Sequence, residues 1–240
     1  MESGDAEPDL PLVSVVIPAR NEAGWVAIPL TSVAAQTLPL DALEAVLVDN
    51  GSSDGTAEAA RAFAATHPAL AVTVITDAAP GVARARNLGA RAARGRLLVF
   101  LDADSRMAPD LAERVACRAG TGYPAGSIRL IADGGDRVDA GFFRLLEFGK
   151  RLFGIRAQMF YCERALFLRQ GGFDEGLQVA EDREFLVQLM RSGIPVCHLT
   201  ESWIATSPRR LHALPLHLGA VATLGRWALA HAGIGRRWRY

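Results

Sequence analysis

Residues 97–104, LLVFLDAD, form an apolar run that leads directly into two aspartates, Asp102 and Asp104. A short apolar run that stops at polar residues is typical of a buried strand in a parallel sheet. Three similar runs precede it, and helical patterns separate them. The runs lie at 13–17, 45–48 and 72–76, and the helical patterns at about 24–36, 55–66 and 82–94. Strands that alternate with helices predict an α/β fold with a mostly parallel sheet and helices on both faces.

Acidic residues follow three of these four predicted strands. Asp49, Asp77 and Asp102 stand at the ends of the second, third and fourth strands. The carboxyl ends of parallel strands share one edge of the sheet, where ligands of such folds bind. One aspartate after a strand is ordinarily a turn former. Three at one edge repel one another, so we expect a cation or a donor-rich ligand among them.

The Asp102-Ala103-Asp104 triplet is a candidate metal site. Mg²⁺ and Mn²⁺ are commonly held by one or two carboxylates and completed by phosphate oxygens. The triplet follows a buried strand at its exit point, which is where such an ion would meet a ligand at the sheet edge. The sequence therefore predicts a divalent metal, Mn²⁺ or Mg²⁺, at Asp104 and Asp102.

Beyond residue 109 the pattern loosens but stays structured. Helical spacing recurs at 109–119, 138–153 and 181–192, and strand patterns at 127–131, 196–199 and 203–206. Half of the residues are hydrophobic and 22% are charged, which is enough apolar material for a sizeable core. No linker composition interrupts the chain, so we expect a single compact domain over residues 1–240.

Charge and cysteine content exclude several classes of protein. The 26 basic and 26 acidic residues give a formal net charge of zero, so we expect no nucleic-acid partner. The three cysteines are too far apart for a disulfide framework or a structural zinc site. The first residues are acidic and no apolar signal region follows them, which predicts a cytoplasmic protein.

The C-terminal tail, at about 208–240, differs from the rest of the chain. It contains six arginines and no acidic residue, and its leucines fall on one side of a helical pattern. This composition predicts a basic amphipathic helix that binds an anionic membrane surface, which would make the protein peripheral on the inner face of the membrane. A helix that folds back onto the acidic body explains the same pattern equally well.

Six short motifs, taken in order, resemble those of family 2 glycosyltransferases. They are VVIPARNE at 15–22, VDNGSSDGT at 48–56, ARNLG at 85–89, LDAD at 101–104, GGFDE at 171–175 and ED at 181–182. The resemblance implies the GT-A fold, in which a Rossmann-like nucleotide-sugar-binding half (about 10–105) joins a looser acceptor half (about 106–207). It also implies a nucleotide-sugar donor, commonly a UDP-sugar, and transfer of the sugar with inversion at the anomeric carbon.

The resemblance also assigns roles to particular residues. Those implied to line the nucleotide-sugar are Pro18, Ala19, Arg20, Glu22, Asp49, Arg86, Asp102 and Ala103. Asp49 would accept a hydrogen bond from the base, and Arg86 would lie beside the diphosphate. Asp182 is the implied general base and Glu181 its neighbour at the acceptor. Gly172, Phe173, Arg209 and Arg210 are further candidates for acceptor contacts.

Purely structural roles also explain several of these residues. Arg86 and Asn87 would also suit a polar helix surface, and GGF at 171–173 a helix C-cap. Glu181 and Asp182 equally make a favourable first helical turn. For Tyr161 and Trp203, packing in the core explains the residue better than stacking on a sugar. For His198, a hydrogen-bonded histidine in the core is a better explanation than a metal ligand.

Other functions remain as alternatives or are excluded. A retaining GT-A transferase of the glucosyl-phosphoglycerate synthase type shares the donor half, and a non-catalytic nucleotide-binding scaffold protein is a third interpretation. No GxGxxG follows the first strand and no P-loop motif occurs, which disfavours NAD-dependent and P-loop enzymes. No QxxRW motif is found either, which favours transfer of a single sugar. The acceptor remains open among carbohydrates, lipid-linked molecules and small molecules.

Overall fold

The computed structural model describes residues 10–134, 137–153, 159–177, 180–210 and 212. Within them lie eight strands and seven α-helices. The strands are β1 (Val13–Ala19), β2 (Leu43–Asp49), β3 (Ala71–Thr76), β4 (Leu97–Phe100), β5 (Ser105–Met107), β6 (Ala125–Ala132), β7 (Phe160–Glu163) and β8 (Val196–Thr206). The helices are α1 (Ala27–Ala34), α2 (Thr56–Thr66), α3 (Val82–Ala92), α4 (Leu111–Gly120), α5 (Arg137–Phe153), α6 (Arg164–Arg169) and α7 (Glu181–Arg191). Leu40–Ala42 and Pro208–Arg210 are 3₁₀ turns.

All eight strands belong to one sheet, in the order β3-β2-β1-β4-β7-β6-β8-β5. The first four strands are parallel to one another. In the second half β7 runs antiparallel to both β4 and β6, β8 runs parallel to β6, and β5 runs antiparallel to β8. The predicted parallel sheet is thus confirmed for the first half, while the second half is mixed. Because β7 is antiparallel to both of its neighbours, β6 ends at the same sheet edge as β4.

Helices cover both faces of the sheet, as predicted. On β1, Val15 and Ile17 belong to one apolar cluster, with Leu30 of α1, while Val16 belongs to a second cluster on the opposite face. This division follows from the alternation of side chains along a strand. A Cβ added at Gly89 of α3 would lie 2.5 Å from a methyl carbon of Val16. Glycine there lets α3 approach β1 closely, which brings its arginines to the strand ends.

Most predicted elements are confirmed, with three differences. The two late strands predicted at 196–199 and 203–206 are one strand, β8, which pairs with β6 at 196–199 and again at 204–206. Between these two paired segments the register shifts, at Ile128 and Leu130 of β6. This irregularity lies where the sequence pattern predicted a break between two strands. The short elements β5, β7 and α6 were not predicted, because three to six residues carry too little periodicity.

The helix predicted at 24–36 is shorter, since α1 begins at Ala27 and ends at Ala34. The predicted amphipathic tail at 208–240 lies outside the described residues at 211 and from 213 onward, so its helix remains a prediction. None of the described helices is both long enough and apolar enough to cross a bilayer.

Candidate functional site

The loops that follow β1 and β2 are joined by hydrogen bonds at the carboxyl edge of the sheet. The backbone N–H of Glu22 donates to Thr56 Oγ1 at 2.9 Å, and the Thr56 hydroxyl donates to Asp54 Oδ1 at 2.5 Å. Asn21 has a φ of 54°, which asparagine tolerates better than most residues, and its Oδ1 accepts from the N–H of Ser53 at 2.9 Å. These bonds fix the loop that carries two predicted nucleotide contacts, Arg20 and Glu22.

Asp49 lies at the end of β2, beside the last residues of β1. Pro18 and Ala19 are buried and stand opposite Val48 and Asp49 in the parallel register. Asp49 is itself buried, and its Oδ1 accepts from the N–H of Ser52 at 3.0 Å. It is therefore a turn former as well as a candidate ligand. Arg20, which follows Ala19, is exposed.

Arg86 of α3 joins three segments of the site. Its Nη2 donates to Asp102 Oδ1 at 2.8 Å, and its Nη1 donates to Glu181 Oε1 at 2.5 Å. Arg86 is 9% exposed, so its role as a helix-surface arginine is ruled out. Burial acts to lower the pKa of Arg86, but the carboxylates of Asp102, Glu181 and Asp182 outweigh it and raise that pKa above its ordinary value. The guanidinium therefore stays charged.

The carboxylates of Glu181 and Asp182 occupy the first turn of α7, and both are buried. Burial raises the pKa of Glu181 to about 7, although the charge of Arg86 acts to lower it. Asp182 accepts from the N–H of Arg183 at 2.7 Å. The residue before the helix, Ala180, has a φ of 65°, a strained conformation of the kind that clusters at functional sites.

A second arginine contacts the other aspartate of the triplet. Arg209, in the 3₁₀ turn after β8, donates from Nε to Asp104 Oδ2 at 2.9 Å and from Nη2 to Glu22. Its guanidinium also lies over the ring of Trp25, 4.8 Å from the ring centroid. Asp102 and Asp104 thus contact different arginines. Residues i and i+2 of an extended strand would share one face, but here the chain turns after β4, and the N–H of Ser105 donates to the carbonyl of Asp102 at 3.0 Å. The side chain of Arg210 lies outside the described part of the structure.

The residues around Asp104 suit a divalent cation. No cluster of three histidine, cysteine or acidic side chains that could hold a metal occurs among the described residues. Glu22 Oε2 is nevertheless buried and has no hydrogen-bond partner among the described residues. Mg²⁺ and Mn²⁺ prefer oxygen ligands and need only one or two carboxylates when phosphate oxygens complete the shell. Asp104 and Glu22 offer such oxygens where Arg209 now supplies the positive charge.

The GGF segment is held against α3 by Asn87. The Asn87 amide donates to the carbonyl of Phe173 and accepts from its N–H, both at 2.9 Å. Gly172 has a φ of 73°, and a Cβ there would lie 2.6 Å from Asn87 Oδ1. The N–H of Gly171 and that of Gly172 bond to carbonyls of α6, which confirms the helix C-cap interpretation.

Phe173 is a core residue. Its ring is 3% exposed and packs in an aromatic cluster with four other phenylalanines: Phe100, Phe160, Phe167 and Phe185. The cluster shields the ring from solvent, so the predicted acceptor contact of Phe173 is left to its backbone and stays a prediction. Gly172 and the Phe173 backbone position the loop that leads toward α7.

The competing core roles are confirmed for three other residues. His198 bonds to Ser127 Oγ at 2.9 Å and to Glu147 Oε2 at 3.1 Å, which accounts for both ring nitrogens. Tyr161 is fully buried, and its hydroxyl donates to a backbone carbonyl. The ring of Trp203 lies under the guanidinium of Arg106 at 5.2 Å. None of these three contacts resembles sugar or metal binding.

Two features of the site were not predicted from the sequence. Arg84, two residues before Arg86 on α3, donates to Asp77 at 2.7 Å. The cation expected among the strand-end aspartates is therefore supplied by arginines of α3, at Asp77 and at Asp102. Trp25 was also missed. The signal that could have found the first feature is the ARARN pattern at 83–87, which sets two arginines two residues apart.

The model of the family described as "Glycosyl transferase family 2" matches residues 14–172. Among curated proteins, "Glycosyltransferase AglE" of Haloferax volcanii is 42% identical over 47% of this chain and 37% of its own length. "Validoxylamine A glucosyltransferase" of Streptomyces hygroscopicus is 31% identical over 85% of this chain and 57% of its own. "Undecaprenyl-phosphate 4-deoxy-4-formamido-L-arabinose transferase" of Pseudomonas aeruginosa is 41% identical over 49% and 35%. The chain thus spans 35% to 57% of the length of these relatives.

Solved structures share the fold. The mannosyltransferase PcManGT from Pyrobaculum calidifontis, in complex with GDP-Man and Mn²⁺, matches with a TM-score of 0.67 and 26% identity over 94% of this chain and 68% of its own. S. aureus TarS 1-349 in complex with UDP matches with a TM-score of 0.68 and 20% identity, over 93% and 72%. The fold is that of GT-A glycosyltransferases, and the chain belongs to glycosyl transferase family 2.

Proposed function

We propose that this chain transfers one sugar from a nucleotide-sugar to an acceptor, with a divalent metal and with inversion at the anomeric carbon. The observation that carries the proposal is Arg86, which draws Asp102 and Glu181 together with Asp182 beside them. Residues from α3, β4 and α7 converge there on the sheet edge at which ligands of α/β folds bind. The family supports the same activity.

The donor we propose is a UDP-sugar. Asp49 is an acceptor of hydrogen bonds when ionised, which suits the N3–H of uracil and excludes cytosine, which lacks that proton. Relatives of known structure bind UDP, in TarS, and GDP-Man, in PcManGT. Pro18 and Ala19 flank Asp49 across the register and, with Arg20, would line the nucleotide.

A divalent ion, Mn²⁺ or Mg²⁺, would be held by Asp104, with Glu22 and Asp102 as the neighbouring carboxylates. Its chemistry is to neutralise charge on the departing nucleotide diphosphate. The structures of PcManGT and of GalNAc-T7 contain Mn²⁺. Since Arg209 contacts Asp104 and Glu22, the ion and the guanidinium compete for the same carboxylates.

Asp182 is the proposed general base. It lies in the first turn of α7, one residue from Glu181, whose side chain is bonded to Arg86. A carboxylate on the far side of the sugar from the diphosphate removes the proton of the attacking acceptor oxygen, which for a phosphate acceptor is the P–OH of the monoanion, as that oxygen bonds to the anomeric carbon and the nucleoside diphosphate leaves. Attack from the face opposite the leaving group accounts for inversion. Glu181 and Arg86 position it, because their ion pair fixes the start of the helix.

The acceptor we propose is lipid-linked and carries a phosphate. The Pseudomonas relative is named as an undecaprenyl-phosphate transferase. The basic composition of the tail at about 208–240 fits an association with an anionic membrane surface, which would bring the protein to such an acceptor.

The experiment is a transfer assay with product stereochemistry. The purified chain is incubated with Mn²⁺, a panel of UDP- and GDP-sugars and short-chain polyprenyl phosphates, and the anomeric configuration of the product is read by proton NMR. We expect transfer from a UDP-sugar with an inverted anomeric centre. A retained configuration would favour the glucosyl-phosphoglycerate synthase type of mechanism, and absence of transfer from every donor would favour the scaffold.

A further inference from the structure

A cavity of about 570 Å³ opens between the second half of β6 and α5, away from Arg86 and Asp182. Strand residues 129–132 form one wall, and Phe143, Arg144, Glu147 and Phe148 of α5 form the other. This volume is within the range of pockets that bind small organic ligands. None of the residues predicted to bind donor or acceptor lines it.

The cavity lies at the same sheet edge as the donor site. Ala132, the last residue of β6, stands opposite Thr206 of β8, and Thr206 stands opposite Ser105 of β5. Ser105 directly follows Asp104. Two strand spacings amount to about 10 Å, so the end of β6 is about that far from the residue next to the proposed metal ligand. A molecule seated in the cavity could extend a reactive group toward the donor.

The charges around the cavity favour an anion. Arg129 and Arg144 line it, and Arg129 Nε is buried without a hydrogen-bond partner among the described residues. The one carboxylate of the lining, Glu147, is already engaged, since it accepts from the N–H of Leu130 and bonds to His198. A buried N–H without a partner costs free energy, which a phosphate oxygen would recover.

The outer surface of α5 is apolar beside this basic cavity. Leu145 and Phe148 are 64% and 61% exposed, and Phe148 also lines the cavity. The two acidic side chains of α5 point to internal partners, Glu147 to His198 and Asp139 to His212. What α5 offers outward is therefore apolar and basic, the composition of helices that lie in the headgroup region of a membrane.

We propose that this cavity binds the phosphate of a lipid monophosphate acceptor between Arg129 and Arg144, with the hydrocarbon chain lying over Leu145 and Phe148. The identity of the acceptor as a lipid phosphate rests on the proposed function. The location is new, because the sequence points to 171–173 and 209–210 for the acceptor. Arginine is suited to this task because its guanidinium donates two parallel hydrogen bonds to a phosphate.

The test measures binding of farnesyl phosphate, a short soluble lipid phosphate, to the full chain by isothermal calorimetry. Arg129→Gln and Arg144→Gln should each weaken this binding about tenfold or more, the loss expected for one charge-assisted hydrogen bond. The matched control is Arg137→Gln, which removes an exposed arginine of the same helix that does not line the cavity. It should bind farnesyl phosphate as the wild type does.

Two further measurements distinguish binding of the phosphate from binding of the hydrocarbon chain. Inorganic phosphate and farnesol should each bind much more weakly than farnesyl phosphate, and Phe148→Ser should weaken farnesyl phosphate but not inorganic phosphate. If inorganic phosphate bound as tightly as farnesyl phosphate, the proposed contact of the hydrocarbon chain with Leu145 and Phe148 would be contradicted. Wild-type affinity in both arginine variants would overturn it.

Binding of UDP with Mn²⁺ to the same variants separates this proposal from the proposed function. Both arginine variants should retain wild-type UDP affinity, because Arg129 and Arg144 lie outside the donor site. Absence of UDP binding in the wild type would contradict the proposed function, while the loss of farnesyl phosphate binding in the variants would still support a lipid phosphate cavity.

Discussion

The parallel and the mixed half of the sheet differ in the partners of their charged side chains. In the parallel half each strand-end aspartate has a partner in the chain: Asp49 the Ser52 N–H, Asp77 Arg84, and Asp102 Arg86. In the mixed half a cavity carries Arg129 with an Nε that lacks a partner in the described part of the chain.

This difference indicates which side chains are already held in position before a ligand binds. The parallel half holds Asp49, Asp77 and Asp102 at fixed positions through arginines and loop hydrogen bonds, so these three carboxylates require little rearrangement when a ligand binds. The mixed half keeps Arg129 Nε without a hydrogen-bond partner among the described residues, and the exposed Leu145 and Phe148 lie beside it. Two buried atoms of the first half, Glu22 Oε2 and Arg86 Nε, are unpartnered in the same sense. Substitutions at the charged groups of both halves, and a change of pH, test this contrast.

The largest effect is expected for Asp182→Asn. An amide cannot take the proton of the attacking acceptor oxygen, so kcat should fall by about 10²–10⁴-fold, while UDP affinity stays unchanged. Steady-state kinetics and calorimetric titration measure the two quantities. Glu184→Gln is the matched control, because it removes a charge from the same helical turn. A control that loses as much activity as Asp182→Asn would indicate that helix charge, not the base, is responsible.

Arg86→Met should strongly destabilise the folded protein. It leaves the buried Glu181 and the half-buried Asp102 without their shared cation, and removal of one partner of a buried ion pair typically costs about 3–5 kcal/mol. Urea denaturation measures the free energy of unfolding. Arg61→Met removes an arginine from an exposed pair with Glu58 and should cost less than about 1 kcal/mol. Equal losses in both variants would contradict the role of Arg86.

The pH dependence of stability should report Glu181. Its pKa is raised by burial from 4.5 to about 7, so between these values the folded protein holds a proton that the unfolded chain has released. Stability therefore falls as pH rises from about 4.5 to about 7 and is constant in this respect above. The difference between wild type and Glu181→Gln should shift by about 1–3 kcal/mol between pH 4.5 and pH 8. A pH-independent difference would contradict the raised pKa.

Arg209→Gln should strengthen the binding of Mn²⁺ alone, by about tenfold. The substitution removes a positive charge that contacts Asp104 and Glu22, and one such contact is worth about 1–2 kcal/mol. Electron paramagnetic resonance of free Mn²⁺ measures the affinity without any substrate. Arg106→Gln, which removes the exposed partner of Asp133, should leave it unchanged. Unchanged or weaker binding in Arg209→Gln would show that Arg209 does not compete with the ion.

The sequence was most informative where structure repeats. Strands β1 to β4 are four to seven residues long and apolar, so their pattern revealed the parallel half and its strand ends. Arg86, Asp102, Glu181 and Asp182 were each identified by motif, and the structure brings them together.

Contacts between distant segments could not be predicted from the sequence. Arg209 meets Glu22 across 187 positions of the chain, and no local pattern encodes such a pairing. The same holds for the Phe173 ring, whose partners come from four separate elements, and for the cavity, which exists only once α5 packs beside β6. Periodicity indicates which residues are buried but not which surfaces meet.

The most direct test of the donor site is calorimetric titration of UDP with and without Mn²⁺, on the wild type, on Asp104→Ala and on Asp133→Ala as a carboxylate control near the same edge. We expect UDP binding that requires Mn²⁺, persists in Asp133→Ala and is lost in Asp104→Ala. UDP binding of equal strength without Mn²⁺ and in Asp104→Ala would contradict it.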